Sequence, residues 1–238
     1  IGDREDLSDI IYNISPTDTP FMSAIGKEKA SGVLHEWQTD ALAAAASNNH
    51  HIEGDEISFG SVAPTARINN HTQISRKAVV VSGTQDAVNK AGRNNELAYQ
   101  ISKSSKELKR DMETALCQKG AKTNGSDTQA RVTGGFESWM TSNVSRGSGG
   151  ASGGDGVAPT DATTGNRRAL TEPLLKSVLQ SCFQNGGEPS LAICGPVNKQ
   201  VISGFTGRSQ ARQFVDANTV EASVSIYASD FGELKIVP

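Results

Sequence analysis

NNELAYQISKSSKELKRDMETALCQK, residues 94–119, predicts the longest helix of this chain. Apolar or small side chains recur there every three or four residues, and charged side chains fill the other faces. The positions with this spacing are Leu97, Ile101, Ser104, Leu108, Met112 and Ala115 or Leu116. A helix of this length extends for about 39 Å, and an i,i+4 pair of Lys109 and Glu113 would add about 0.3 kcal/mol. The sequence therefore predicts an elongated domain built along one helix.

The composition predicts a thin hydrophobic core. Of 238 residues, 36% are hydrophobic and only 5% are aromatic, while 24 are glycine. A chain with so little apolar material depends on partner subunits for part of its burial. The net charge of −3 argues against a dedicated nucleic-acid-binding protein with a broad basic face. Three widely spaced cysteines fit a reducing compartment with buried free thiols.

No window approaches 18 uninterrupted apolar residues, so the sequence predicts no membrane span and no membrane partner. The first residues are too polar for the core of a signal peptide. Residues 1–31 predict an N-terminal arm with two short helical pieces, over 3–14 and 17–26. In the second piece, Thr19 is the expected N-cap and Pro20 the first helical residue.

Residues 32–82 predict an extended β-hairpin around an irregular centre. In the first flank, residues 33–42, Trp37 and Glu36 fall on opposite faces. The second flank is residues 65–82. Flanks of about 15 residues would reach about 50 Å, whereas a globule of this size has a radius of gyration of about 18 Å. Such a hairpin would therefore lie on neighbouring subunits.

The rest of the chain predicts a mixed α+β body. Residues 143–165 are rich in glycine and serine and predict a loop or a flexible segment. Beyond it, the patterns predict helices over 171–185 and from Pro196 to Gly204. Strands are predicted over 190–194, 220–226 and 234–237.

Motifs for catalysis or metal binding are absent from the sequence. The densest group of possible metal ligands is His50, His51, Glu53, Asp55 and Glu56. Adjacent histidines in an extended segment point to opposite sides and do not easily hold one ion. The tract 147–156 lacks the Gly-Lys-Ser/Thr ending of a phosphate-binding loop. We therefore predict no catalytic residue, no metal and no cofactor.

Two features suggest assembly instead. Trp37 is a large apolar residue in the predicted hairpin, where an interface role and a core role are about equally supported. The basic residues of the long helix form either a solvated face or a contact for acidic partners and phosphates. They are Lys103, Lys106, Lys109 and Arg110.

Ten short segments, taken in their order and spacing, carry a family resemblance. They are REDLSDIIYNI (4–14), PTDTPF (16–21), EWQTDAL (36–42), EGD (53–55), VSGTQ (81–85), AGR (91–93), ELAYQ (96–100), ELKRD (107–111), ICGP (193–196) and SDFGEL (229–234). On these segments the whole chain resembles the major capsid proteins of tailed bacteriophages, in the subgroup typified by the major head protein of podovirus SU-ten.

The resemblance implies the Hong Kong 97-type capsid fold, with an N-terminal arm, extended loop, spine helix, peripheral domain and axial domain. These would be residues 1–31 (arm), 32–82 (extended loop), 83–142 (peripheral domain, spine helix 94–119), 143–165 (Gly/Ser-rich loop) and 166–238 (axial domain). It further implies that the axial domain continues beyond Pro238.

The function implied is a structural shell protein that self-assembles into hexamers and pentamers around double-stranded DNA. Alternatives are an encapsulin-type compartment shell or, more weakly, an enzyme whose catalytic residues lie elsewhere. Portal, scaffold and decoration proteins would be further partners, with assembly in the host cytoplasm before residence in the virion. Candidate intersubunit contacts are Trp37, Glu53, Asp55, Arg67 and Arg93. Candidate inner-surface or intersubunit basic residues are Arg4, Lys103, Lys106, Lys109 and Arg110.

Overall fold

Helices and short strands are mixed throughout the computed structural model, which describes residues 18–88, 95–164, 166–205 and 224–238. The helices are α1 (Pro20–Ala24), α2 (Gly83–Ala87), α3 (Glu96–Cys117), α4 (Glu172–Gln184) and α5 (Pro196–Ser203). The strands are β1 (Leu34–Thr39), β2 (Ala66–His71), β3 (Leu191–Ile193), β4 (Ile226–Ser229) and β5 (Gly232–Val237). A 3₁₀ turn covers Phe136–Trp139. The predicted α+β content is confirmed.

The long helix α3 begins two residues later and ends two residues earlier than predicted. Asn95 caps it, because its side-chain oxygen accepts a hydrogen bond from the Ala98 amide at 2.8 Å. The predicted Lys109–Glu113 pair is wrong. Glu113 bonds to the N-terminal arm instead, and an i,i+4 pair on this helix joins Lys103 and Glu107 at 4.0 Å.

Helix α1 is capped by a residue distant in sequence. Pro20 is its first residue, as predicted, but the Thr19 side chain makes no capping hydrogen bond. The Glu113 carboxylate accepts the amides of Phe21 and Met22 at 2.7 and 2.8 Å, satisfying two donors that a helix start leaves open. The described part of the arm is therefore bonded to α3 through the Glu113 side chain. The helix predicted over residues 3–14 lies outside the described residues.

Strands β1 and β2 form an antiparallel hairpin in which Trp37 pairs with Ile68. Each strand has six residues, so the predicted flanks of about 15 residues are wrong. Regular pairing ends where the hairpin leaves the rest of the subunit, because a two-stranded ribbon with no surface to pack on is only marginally stable. Residues 40–65 and 72–82 contain no strand.

Residues 118–164, here called the platform, follow α3 and consist of turns and isolated β-bridges. Residues 143–164, most of the predicted Gly/Ser-rich loop, contain turns and isolated bridges but no helix or strand, and they pack closely. A Cβ at Gly153 would lie 2.6 Å from the Glu137 carbonyl oxygen, and one at Gly135 would overlap the Gln118 carbonyl oxygen. Glycine is required there because backbone segments approach each other closely. The Ser138 side chain is fully buried between them.

The C-terminal part contains a three-stranded sheet in the order β3–β5–β4, with β3 parallel and β4 antiparallel to β5. Helices α4 and α5, and strands β3 and β5, lie where the sequence predicts them. The strand predicted over 220–226 is described only from residue 224, and β4 begins at Ile226. Among described residues the buried apolar side chains all belong to this part: Leu179, Ile202, Leu234 and Ile236. The core is as thin as the composition predicts.

Candidate assembly interface

The root of the hairpin, here residues 69–72 at the end of β2, is bonded to the platform through Lys122. Its Nζ donates to both the backbone oxygen and Oδ1 of Asn69 at 3.0 Å, and to Asp155 Oδ1 at 3.1 Å. The same ammonium lies 5.4 Å from the centre of the Trp139 ring. One cation thus joins β2, the glycine-rich tract and the 3₁₀ turn, and charge-assisted hydrogen bonds of this kind are the stronger ones.

Further hydrogen bonds extend this attachment along β2. Arg131 Nε donates to the Thr72 carbonyl oxygen at 2.7 Å, and the Gly134 amide donates to Asn70 Oδ1 at 2.9 Å. The root is therefore held through polar groups on both segments. The loop beyond the root makes no comparable attachment in the described residues.

Trp37 packs on its own subunit. Its ring centre lies 5.1 Å from that of Trp139, with the planes tilted by 56°, a favourable arrangement for aromatic pairs. This contact favours the core role over the interface role for Trp37. Sequence patterns did not identify Trp139 or Lys122, because their partners lie about 50 to 100 residues away and follow no local periodicity.

The distal loop, residues 40–65, exposes apolar side chains without covering any part of its own subunit. The exposed fractions are 81% for Ile52, 79% for Ile57, 94% for Phe59, 95% for Val62 and 100% for Leu42. Exposed apolar groups clustered in this way mark a surface that another molecule covers. This loop is the strongest candidate interface in the described chain.

Two predicted contact residues, Glu53 and Asp55, lie in this loop and are exposed. They flank a turn in which Gly54 has φ 85° and the Asp55 amide donates to the Ile52 carbonyl oxygen at 3.1 Å. The acidic residues make no ion pair in the described part of the chain. No group of three or more possible metal ligands occurs among the described residues.

The other predicted contact residues are less informative. Arg67 lies in β2 and faces Glu36 across the hairpin at 3.8 Å, an exposed pair of small energetic value. Arg93 and Arg4 lie outside the described residues.

Helix α3 presents both apolar and basic side chains to solvent. Leu97 and Ile101 are 43% and 51% exposed, so the predicted apolar face is largely uncovered by this chain. Of the basic residues, Lys103 pairs with Glu107, whereas Lys106, Lys109 and Arg110 are exposed and make no ion pair within the described residues. Lys77 Nζ bonds to Asp111 at 2.7 Å, which raises the pKa of Lys77.

Two ion pairs of the platform and the C-terminal part shift carboxyl pKa values. Lys176 bonds to Glu172 at 2.7 Å and lowers the pKa of that carboxyl, to which the Tyr227 hydroxyl also donates at 3.3 Å. Burial first, and then the Glu172 charge, raises the pKa of Tyr227. Lys119 bonds to Asp161 and lowers its pKa in the same way. These shifts belong to structural ion pairs.

In the described residues, no helix combines the length and the apolar character needed to cross a bilayer.

Comparison with known proteins gives a match over residues 1–238 to the family described as SU10 major capsid protein. The chain belongs to this family. The resemblance seen in the sequence is thereby confirmed.

A curated relative of the chain is the major capsid protein of Escherichia phage Phieco32. It is 43% identical over 123 residues, which make up 52% of this chain and 35% of the relative. The match thus spans about a third of the length of the relative. Both comparisons name a bacteriophage major capsid protein, a structural protein of the virion, and neither supports the encapsulin-type or enzyme alternative.

Proposed function

We propose that this chain builds the icosahedral head of a tailed phage by self-assembly into hexamers and pentamers around double-stranded DNA. The observation that carries the proposal is the distal loop, whose apolar side chains at Ile57 and Phe59 are 79% and 94% exposed. A loop of this kind gains its burial only on another molecule, and the family membership makes a second copy of the chain that molecule. Its role is structural, with no catalysis.

The proposal assigns the Hong Kong 97-type fold to the chain. Helix α3 would be the spine helix, the β1–β2 hairpin with its distal loop the extended loop, and the part after the platform the axial domain. The length of α3 and the separate C-terminal sheet support this assignment. Shells would assemble in the host cytoplasm with portal, scaffold or decoration proteins as partners.

Sedimentation velocity and negative-stain microscopy of the purified full chain test the proposal. We expect closed particles and an intersubunit burial well above the ~1,600 Å² of a standard interface. The double variant Ile57→Ser/Phe59→Ser should remain folded but assemble poorly, because these side chains have little contact with their own subunit. Lys27→Ser/Lys29→Ser, two exposed changes at the end of the predicted arm, is the control. A compact monomer at micromolar concentration, with a loop protected from proteolysis, would refute the proposal.

Contact with packaged DNA would be local, weak and independent of sequence, since the net charge is −3. The exposed side chains Lys106, Lys109 and Arg110 on α3 are the described candidates. Such contacts weaken with salt, because each neutralised phosphate releases about one counterion.

Neutralising Lys103, Lys106 and Lys109 to Gln separates the two roles of these charges. Normal empty shells with less stable packaged DNA would support the DNA contact. Failure of empty shells to form would show that the charges serve subunit contacts.

A further inference from the structure

A cleft of about 530 Å³ lies between the platform and α4. Apolar side chains from the start of the C-terminal part line it, namely Leu170, Leu174, Leu175 and Val178. Its volume falls in the range of sites that take a small ligand or a few side chains of a partner.

Arginines line the rest of the cleft and leave it with excess positive charge. Arg168 donates to Ser145 Oγ at 2.6 Å and makes no ion pair with any described residue, whereas Arg167 lies 3.8 Å from Asp161 and remains 74% exposed. Arg146 bonds to Glu137 at 3.3 Å, and its buried Nε has no hydrogen-bond partner among the described residues. Asp161 also bonds to Lys119, so its single charge does not neutralise the arginines of the cleft. The arginines can therefore still bind acidic groups of another molecule.

The distal loop carries a segment with the complementary pattern. Residues 52–59, IEGDEISF, place acidic side chains at Glu53, Asp55 and Glu56 between apolar ones. The acidic groups make no ion pair in the described chain, and the apolar side chains are 79–94% exposed, so the segment does not fill the cleft of its own subunit.

We infer that this cleft, here called the arginine cleft, receives residues 52–59 of a second copy of the chain. Arg167 and Arg168 bind the acidic side chains through charge-assisted hydrogen bonds, and Ile57 and Phe59 cover the apolar wall. The apolar wall favours a protein segment over the phosphates of DNA, which would leave it in water. This inference rests on the proposed self-assembly and names the surface that receives the loop.

Charge reversal on each side, alone and combined, tests the pairing in the full chain. Arg167→Glu/Arg168→Glu and Glu53→Lys/Glu56→Lys should each lower the yield of particles about tenfold or more, because like charges then face each other. The four changes combined should restore particle formation. Lys27→Glu/Lys29→Glu is the control for a change of net charge, and light scattering with negative-stain microscopy is the readout.

The outcomes are distinguishable. If the wild type forms no particles, the proposed function and this inference both fail. If the wild type and both reversed pairs assemble equally, or if the combined variant folds but stays defective in assembly, the inference fails while the proposed function stands. Rescue of Arg167→Glu/Arg168→Glu by Asp3→Lys/Glu5→Lys would assign the cleft to the N-terminal arm and overturn the inference.

A covalent test covers the case in which the combined variant does not fold. In a Cys117→Ser background, Glu53→Cys with Arg168→Cys should form disulfides between subunits when the purified chain assembles with oxidised glutathione as the oxidant, seen as a ladder on non-reducing gels. A disulfide requires Cα atoms within about 7 Å. Absence of the ladder in assembled particles would overturn the inference.

Discussion

Replacing Lys122 by Met keeps an unbranched apolar side chain but removes the ammonium that joins the hairpin to the platform. The Asn69 carbonyl oxygen then loses a donor in a partly buried place, at a cost of about 1–3 kcal/mol. Asp155 is 67% exposed, so its share is about 0–1 kcal/mol. Loss of the cation over Trp139 adds about 0.5–1 kcal/mol. The expected loss in free energy of unfolding is therefore about 1.5–5 kcal/mol.

Urea unfolding of the full chain measures the total, and hydrogen exchange of the β1 and β2 amides measures the local effect. Lys27→Met, an exposed change of the same type, should stay within about 0.5 kcal/mol of the wild type. If Lys122→Met and Lys27→Met unfold at the same urea concentration, and the hairpin amides stay protected, Lys122 does not hold the root and the reasoning is refuted.

Trp37→Ala should lower the free energy of unfolding of the subunit by about 2–3 kcal/mol through loss of the pair with Trp139. An unchanged melting temperature with a higher protein concentration needed for assembly would show that Trp37 serves an intersubunit contact instead. Glu113→Gln should weaken the capping of α1 by about 1 kcal/mol and speed exchange of its first amides, and unchanged exchange would contradict the capping. The lowered pKa values of Asp161 and Glu172 contribute stability above about pH 4, their ordinary value, and it is lost as pH falls through the folded values. Melting temperature should fall below that pH, and less so in Asp161→Asn; a flat profile would refute it.

Local patterns predicted those elements whose stabilising contacts are themselves local. Helix α3 was placed to within two residues at each end, and α4 ends at Gln184, followed by Asn185 as its C-cap and Gly186 at φ 77°, as the sequence indicates. Helix bonds and caps join residues a few positions apart, so spacing and termini report them directly.

The errors arose where distant segments meet. The strands of the hairpin are shorter than predicted because their length depends on the platform beneath them. The glycine-rich tract packs closely because its neighbours are backbone groups of Glu137 and Ser138, and composition alone does not reveal this. The pairing of Glu113 with the arm displaced the expected ion pair with Lys109 for the same reason.

The candidate site was predicted in outline. The exposed acidic loop with Glu53 and Asp55 followed from composition, whereas the contact of Trp37 with Trp139 and the arginine cleft required coordinates. Arg146 and Arg168 come from separate segments, 22 positions apart, with no motif to connect them. Sequence reasoning finds a projecting loop more readily than the surface that receives one.

The bonds between the hairpin root and the platform join residues 53 to 64 positions apart, which gives the order of events during synthesis. At about 5–20 residues per second, the ribosome needs several seconds after β2 to produce Lys122, Arg131 and Gly134. Helix α3, whose own backbone hydrogen bonds are local, forms within about a microsecond of emerging. The nascent hairpin thus has no docking surface until translation passes the platform. A newly made subunit gains a fixed hairpin orientation only after that point, which delays its recruitment by neighbours.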